Sequence, residues 1–285
     1  MIKESLLLFV ENRKALLGLL MLCLFMLIAV FAPLIAPYEP RQSQNEDGKF
    51  PLRATPSAQH LLGTTHAGND IFSRLIYGTR LTLSVGMITG VVTTFISLAV
   101  GLFSGYIRGV VDDVITFITN IFLVIPSLPL VIVIASYITM KGVLPIIVVL
   151  SLTGWAWGAR VVRAQVLSLG EREFVKVAEV MGESSLLIVF REILPNIISL
   201  VMATFFTSTI AAIIGEATLE FIGLGNISAV TWGTMLFWAQ NNAALLSGAW
   251  WWFLPPGIFI GLLGTSFALM NFAIDEISNP KIRQR

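Results

Sequence analysis

Charge is scarce in this chain of 285 residues: Asp, Glu, Lys and Arg make up only 12%, about half the roughly 25% usual in soluble domains. Apolar residues make up 56%, and a chain of that composition has a bilayer rather than water as its solvent. The 18 Lys and Arg nearly cancel the 17 Asp and Glu, leaving a net charge of +1, so no basic surface points to nucleic acid. Cysteine is almost missing. Cys23 alone excludes an intramolecular disulfide and any site built from several thiolates. His60 and His66 are the only histidines; a metal held by both with Asp70 is conceivable, but their spacing fits no zinc pattern and a polar loop accounts for them. No metal and no cofactor is therefore expected. Hydroxyls in the apolar stretches, such as Thr93, Thr94 and Ser97, have no nearby base to activate them. No catalytic residue emerges. The only Gly-Lys pair, Gly48-Lys49, is followed by Phe50 where a phosphate loop needs a hydroxyl. Any work drawn from ATP must come from another polypeptide.

What is present is a series of long apolar runs. A span needs about 20 mostly apolar residues, because about 30 Å of hydrocarbon is crossed at roughly 1.5 Å per residue. That length predicts spans over about 15–36, 81–106, 114–138, 143–162, 194–214 and 250–274. The first follows Lys3, Arg13 and Lys14 as a signal peptide would. Its apolar core is longer than a signal core, and Pro33 and Pro37 replace a small-residue cleavage site, so an uncleaved anchor is expected. Pro126 and Pro129 interrupt the third span and should kink it. Six spans put both termini on one side, which collects twelve of the 18 Lys and Arg and is therefore assigned to the cytoplasm. No span carries a charge in its centre, which argues against a proton-coupled carrier and leaves sodium coupling through backbone carbonyls open.

Other features take plain structural readings. The pairs Gly86/Gly90, Gly101/Gly105, Gly154/Gly158 and Gly257/Gly261 are sites of close helix packing. Glu216 and Glu220 are acids at a water interface near the outer end of the fifth span. Trp250, Trp251 and Trp252 form an interfacial aromatic belt. Residues 37–80 form a polar extracytoplasmic excursion with local flexibility, placed to meet an outside partner.

Between spans four and five the pattern changes. Phe174, Val177, Ala178 and Met181 recur at i, i+3, i+4 and i+7, one face of a helix, while Glu173, Lys176, Glu179 and Glu183 lie off that stripe. Gly182 breaks the helix and permits a sharp reversal. A second helical run from Leu186 is ended or kinked at Pro195. Such an amphipathic helix either floats in lipid headgroups or docks into a groove on a soluble partner. Its mostly acidic polar face favours docking, since lipid-surface helices prefer Lys and Arg there.

At this loop the chain resembles a known family. Gly182 followed by Ile193-Leu194-Pro195 is similar to the signature of permease subunits of bacterial and archaeal ABC importers. Three more stretches resemble the C-type permease of the oligopeptide, dipeptide and nickel group. They are Phe31 to Tyr38 with Pro33 and Pro37; Leu62-Gly63-Thr64 through Arg80; and Glu216-Ala217 through Gly225, Trp232-Gly233 and Asn279-Pro280-Lys281. The match departs from the group's pattern at Lys176-Val177, Thr65, Asn69 and Glu192.

The resemblance implies an all-α, six-span fold of the type I importer permease class. Residues 1–80 would hold the cytoplasmic start, the first span and the outer loop. Residues 81–275 would be the five-helix core with a coupling loop at about 163–193, and 276–285 a cytoplasmic tail. It implies a multi-pass subunit of the plasma or inner membrane that is not itself an enzyme. Its expected partners are a homologous B-type permease, two cytoplasmic ATPase subunits and an extracytoplasmic solute-binding protein. Peptides are the implied cargo, with oligosaccharides or nickel as alternatives; an ATP-independent carrier or channel is the reading from another class. Phe174, Val177, Ala178, Met181 and Gly182 are the expected coupling residues, facing either the ATPase or this subunit's own helices.

Overall fold

The computed structural model describes residues 12–45, 48–107, 109–138 and 142–278. The expected cytoplasmic start before Asn12 and the closing Asn279-Pro280-Lys281 lie outside them. Helix α1 (Arg13–Val30) is capped by Asn12, whose side chain accepts from the Lys14 and Ala15 amides at 2.9 and 3.2 Å. It buries Ala15, Gly18, Leu22 and Phe25, a seam at helical spacing. That seam lies on the last helix, α11 (Trp250–Ser278), and Phe25 meets Trp232 and Phe259 edge to face. At the opposite end of the seam's ring contacts, the start of α1 is tied to α11 by the Lys14 and Asn12 side chains on Glu276.

After the short helix α2 (Ala32–Ile35) comes the outer segment, which is a folded layer rather than a loose excursion. A two-residue hairpin, β1 (Gln44–Asn45) against β2 (Gly48–Lys49), is its only regular pairing among the described residues. His60 sits buried against Tyr38 and Phe50 and shares a 2.9 Å hydrogen bond with Asp70. The Thr64 hydroxyl accepts from the Ala54 amide at 2.9 Å and donates to the Pro51 carbonyl at 2.5 Å. These bonds satisfy polar groups that would otherwise be costly to bury. The expected flexibility gives way to a buried polar centre.

Asp70 also starts α3 (Ile71–Ile107), accepting from the Ser73 amide and hydroxyl at 2.7 Å each. The helix thus begins ten residues before the predicted 81. Arg74 and Arg80 break the hydropathy pattern there, but the outer layer and α10 (Trp232–Asn241) cover the first turns; Trp232 Nε1 donates to the Leu75 carbonyl at 3.0 Å. Along α3, a Cβ on Gly86 would stand 2.5 Å from Ile213, and one on Gly101 2.6 Å from Val162, so these glycines mark close packing as expected. Gly257 and Gly261 do not: among the described residues nothing outside their own stretch of helix lies within 4 Å of their Cβ positions.

The third predicted span is broken, not merely kinked. α4 (Val110–Val124) and α5 (Ser127–Tyr137) meet at 93°. Pro126 forces Ile125 out of the helical region, to φ −71°, ψ 126°, so the chain must turn there. Pro129 falls in the first turn of α5, where its missing N–H leaves no bond unmade. Among the described residues five helices are long and apolar enough to span a membrane, six if the bent pair is counted. The fourth, α6 (Val143–Gly170), packs along α3. The fifth is Ser185–Phe221, in which α8 (Ser185–Ile188), a π turn (Val189–Ile193) and a 3₁₀ turn (Leu194–Ile197) lead into α9 (Ile198–Phe221). Pro195, which donates no backbone bond, lies at that irregularity, so the run is distorted without ending.

Glu216 and Glu220 correct another expectation: both are buried, not at a water interface. Glu220 accepts from the Thr231 hydroxyl. A Cβ on Gly225 or on Gly233 would stand 2.8 Å from the Glu220 side chain. The motif from Glu216 to Gly233 is therefore one packing unit that locks α10 onto α9. The tryptophan belt also divides: Trp250 is exposed, whereas Trp252 is core.

Candidate functional site

The helix between spans four and five is present as α7 (Glu173–Val180). Successive residues turn by roughly 100°, which sorts its apolar positions into two arcs. Val175, wholly buried, and Ala178, 7% exposed, form the inner arc. They pack with Leu102 of α3, Val162 and Val166 of α6, and Ile188, Ile193 and Ile197 at the start of the fifth span. Phe174, Val177, Val180 and Met181 form the outer arc, and Val177, Met181 and Val180 are 57%, 76% and 89% exposed. The predicted stripe is thus split. Ala178 faces this subunit's own helices, while Phe174, Val177 and Met181 face outward. Val175 and Val180 were missed, because an apolar periodicity wide enough for two surfaces does not say which one is covered.

Gly182 does what its position predicted. At φ +79° it takes a conformation that L side chains resist. The Glu183 amide bonds the Ala178 carbonyl at 3.1 Å and the Gly182 amide that of Glu179 at 3.0 Å, satisfying the helix end. Ser184 then caps α8, accepting from the Leu187 amide at 3.4 Å. On the polar side Lys176 lies 3.6 Å from Glu171 and 3.7 Å from Glu179, exposed pairs of small energetic weight. α7 is therefore clamped by two buried residues to three spanning helices, with a bare apolar strip on its far side. Leu186, Leu187 and Phe190 extend exposed apolar surface beyond the joint. A strip of this kind on a short clamped helix can transmit a push into the spans.

A second feature lies within the spans: a cavity of about 450 Å³ between α3, α5, α6 and α9. Thr89 and Thr93, Thr153 and Gly154, and Thr204, Thr207 and Thr218 line it with aliphatic neighbours. Thr153, Thr204, Thr207 and Thr218 spend their hydroxyl protons on carbonyls four residues back, at 2.7–2.9 Å. The wall is mildly polar and uncharged.

A family model described as "Binding-protein-dependent transport system inner membrane component" matches residues 97–284. The chain belongs to that family. A second model, for the "N-terminal TM domain of oligopeptide transport permease C", matches residues 1–56. The oligopeptide transport system permease protein OppC of Bacillus subtilis is 31% identical over 99% of this chain and 90% of that protein. The dipeptide transport system permease protein DppC of the same organism is 32% identical over 96% of this chain and 84% of its own length. The di/tripeptide permease protein DppC of Pseudomonas aeruginosa is 31% identical over 96% and 90%. Among solved structures, a chain of the MetNI methionine ABC transporter, described in inward-facing conformations, superposes with a TM-score of 0.58 at 21% identity, over 72% of this permease and 94% of that chain. It shares the fold.

This permease is a multi-pass subunit of an ABC importer and not the engine; hydrolysis of ATP belongs to separate subunits. The two histidines take structural places: His60 on Asp70, and His66 stacked between Trp238 and Trp252 at ring distances of 5.3 and 5.6 Å. Among the described residues no three His, Cys, Asp or Glu side chains gather where a metal ion would fit.

Proposed function

We propose that this permease forms half of the pore of a peptide importer and that α7 is the lever through which an ATPase moves it. The exposed arc Phe174, Val177, Val180 and Met181 on a helix anchored by Val175 and Ala178 carries the reading. An apolar face held out by a rigid mount suits a groove on a soluble partner. If the two nucleotide states of the ATPase hold that arc with different affinity, the difference pulls on α3, α6 and the fifth span. The other half of the pore would be a homologous permease, with a second ATPase beneath it and a solute-binding protein outside. Both termini would lie in the cytoplasm. The relatives named for oligopeptides, dipeptides and tripeptides support peptides as cargo. The cavity of hydroxyls and aliphatic side chains suits them too: it offers no fixed charge that would hold one peptide more tightly than another.

Met181→Asp puts a carboxylate into the docking groove while its own side chain stays in water in the isolated subunit. Peptide uptake driven by the complete importer is expected to fall at least tenfold, equivalent to about 1.4 kcal/mol or more, with insertion and thermal stability of the permease unchanged. Gly182→Arg should act in the same direction by straining the joint. Normal ATPase retention and normal uptake in both variants would overturn the lever.

A further inference from the structure

On the face opposite α7, where the outer layer meets α10 and α11, lies a cavity of about 360 Å³ that is separate from the one between the spans. Arg41 and Arg74 both border it, with His66, Trp238, Trp252 and Ser228. Arg74 is nine-tenths buried. Its side chain makes two long hydrogen bonds, both through Nη1, to the Pro40 carbonyl at 3.3 Å and Asn69 Oδ1 at 3.4 Å. Arg41 makes one, from Nη2 to the Ser228 carbonyl at 2.6 Å. Among the described residues no carboxylate pairs with either guanidinium. Two like charges held at one cavity, one of them taken out of water, are an expensive arrangement unless something compensates them. Asp70, the nearest acid in sequence, is spent on His60 and the α3 cap.

We infer that this cavity is a carboxylate-binding site. Nε and Nη2 of Arg74 and the remaining donors of Arg41 would take the two oxygens, the planar fork matching a carboxylate as an ammonium does not. Trp238, Trp252 and Met235 give the wall on which an adjoining apolar group would rest. His66, half-buried between the indoles with its Nδ1 unpartnered, is held neutral by desolvation and by Arg53 and Arg74, so it does not add a third charge. The carboxylate has two sources: a free solute such as a peptide C-terminus, or an acidic side chain of a protein docking from outside. The second source rests on the reading above; the site itself does not.

The test uses the permease assembled with its partners in nanodiscs. N-acetylphenylalanine, N-acetylphenylalaninamide and inorganic phosphate are titrated as probes by saturation-transfer NMR. The acid is expected to bind at least tenfold more tightly than the amide, and Arg74→Gln and Arg41→Gln should each abolish the preference. Arg74→Lys should keep part of it. Arg41 is exposed, so its variant keeps the test valid if Arg74→Gln fails to assemble. In a second arm, affinity for the solute-binding protein is measured. A tenfold loss in Arg41→Gln, with competition by the acid, assigns the carboxylate to the docking protein; unchanged docking in that variant, alongside loss of its preference for the acid, assigns it to solute. Equal binding of acid and amide with unchanged docking overturns the site. Tighter binding of phosphate than of acid overturns the carboxylate assignment. None of these readouts requires coupling through α7, so failure here and failure of the lever are distinguishable.

Discussion

Val175 and Met181 sit on one short helix and have opposite duties. Truncating Val175 to Ala removes two methyl groups from a fully covered site between α7, α3 and α6. A loss of about 2 kcal/mol in local stability is expected, from lost burial and the cavity left behind. Hydrogen exchange on α7 amides should report it, while binding of the ATPase to the folded fraction stays normal. Met181→Asp should show the reverse pattern. Were both variants to lose stability equally, the two arcs would not be separate surfaces. The sequence carried this division only in part: the four-residue stripe was legible, but covering Val175 takes Leu102, Val166 and Ile193, which lie far along the chain. A second residue-scale effect is set by pH. His66 titrates below its ordinary 6.5 because desolvation, then Arg53 and Arg74, disfavour its charged form. The unfolded outer layer therefore binds more protons than the folded one as pH drops below about 6.5, and stability falls through that window. Thermal melts at pH 7.5 and 5.5 should show the decline, and His66→Phe, which keeps a ring between the indoles, should flatten it.

At the scale of elements, hydropathy located the spans and misjudged their ends, for identifiable reasons. α3 begins at Ile71 because Asp70 caps it and the outer layer shields Arg74, whereas a charge count treats an arginine as water-bound. Glu216 and Glu220 misled in the same way: Thr231, which donates to Glu220, and Gly225 and Gly233, which seat it, lie beyond the end of α9. Pro126 was legible as an interruption, but the 93° turn needs something to hold α4 after it leaves the line of the span. Arg163 of α6 supplies this, donating from Nε and Nη2 to the two oxygens of Asp112 at 2.7 and 2.6 Å. Two charge-assisted bonds in this parallel geometry are stronger than an ordinary surface pair. A double-mutant cycle with Arg163→Gln and Asp112→Asn is expected to give a coupling of about 1.5–3 kcal/mol in the stability of the α4–α6 contact. A coupling near zero would mean that apolar packing alone sets the angle.

The whole molecule places its two candidate working surfaces at opposite ends of α3. α3 begins beside Arg74 and ends near Leu102, under α7, so a displacement at one end has a rigid path to the other. If α7 meets a cytoplasmic ATPase, β2 and the turn before α11 must lie outside the cell, with Arg191 inside. Cys23, the sole cysteine, lies exposed in α1 and is replaced by Ser to clear the background. Single cysteines are then placed at Lys49, Ser247 and Arg191, all exposed. In intact cells a membrane-impermeant maleimide should label the first two and spare the third, which becomes reactive only after permeabilisation. Labelling of Arg191→Cys from outside, with protection of Lys49→Cys, would invert the molecule. The lever would then face the wrong compartment for any ATPase, and the charge asymmetry that assigns the termini to the cytoplasm would have been overridden by the long outer segment.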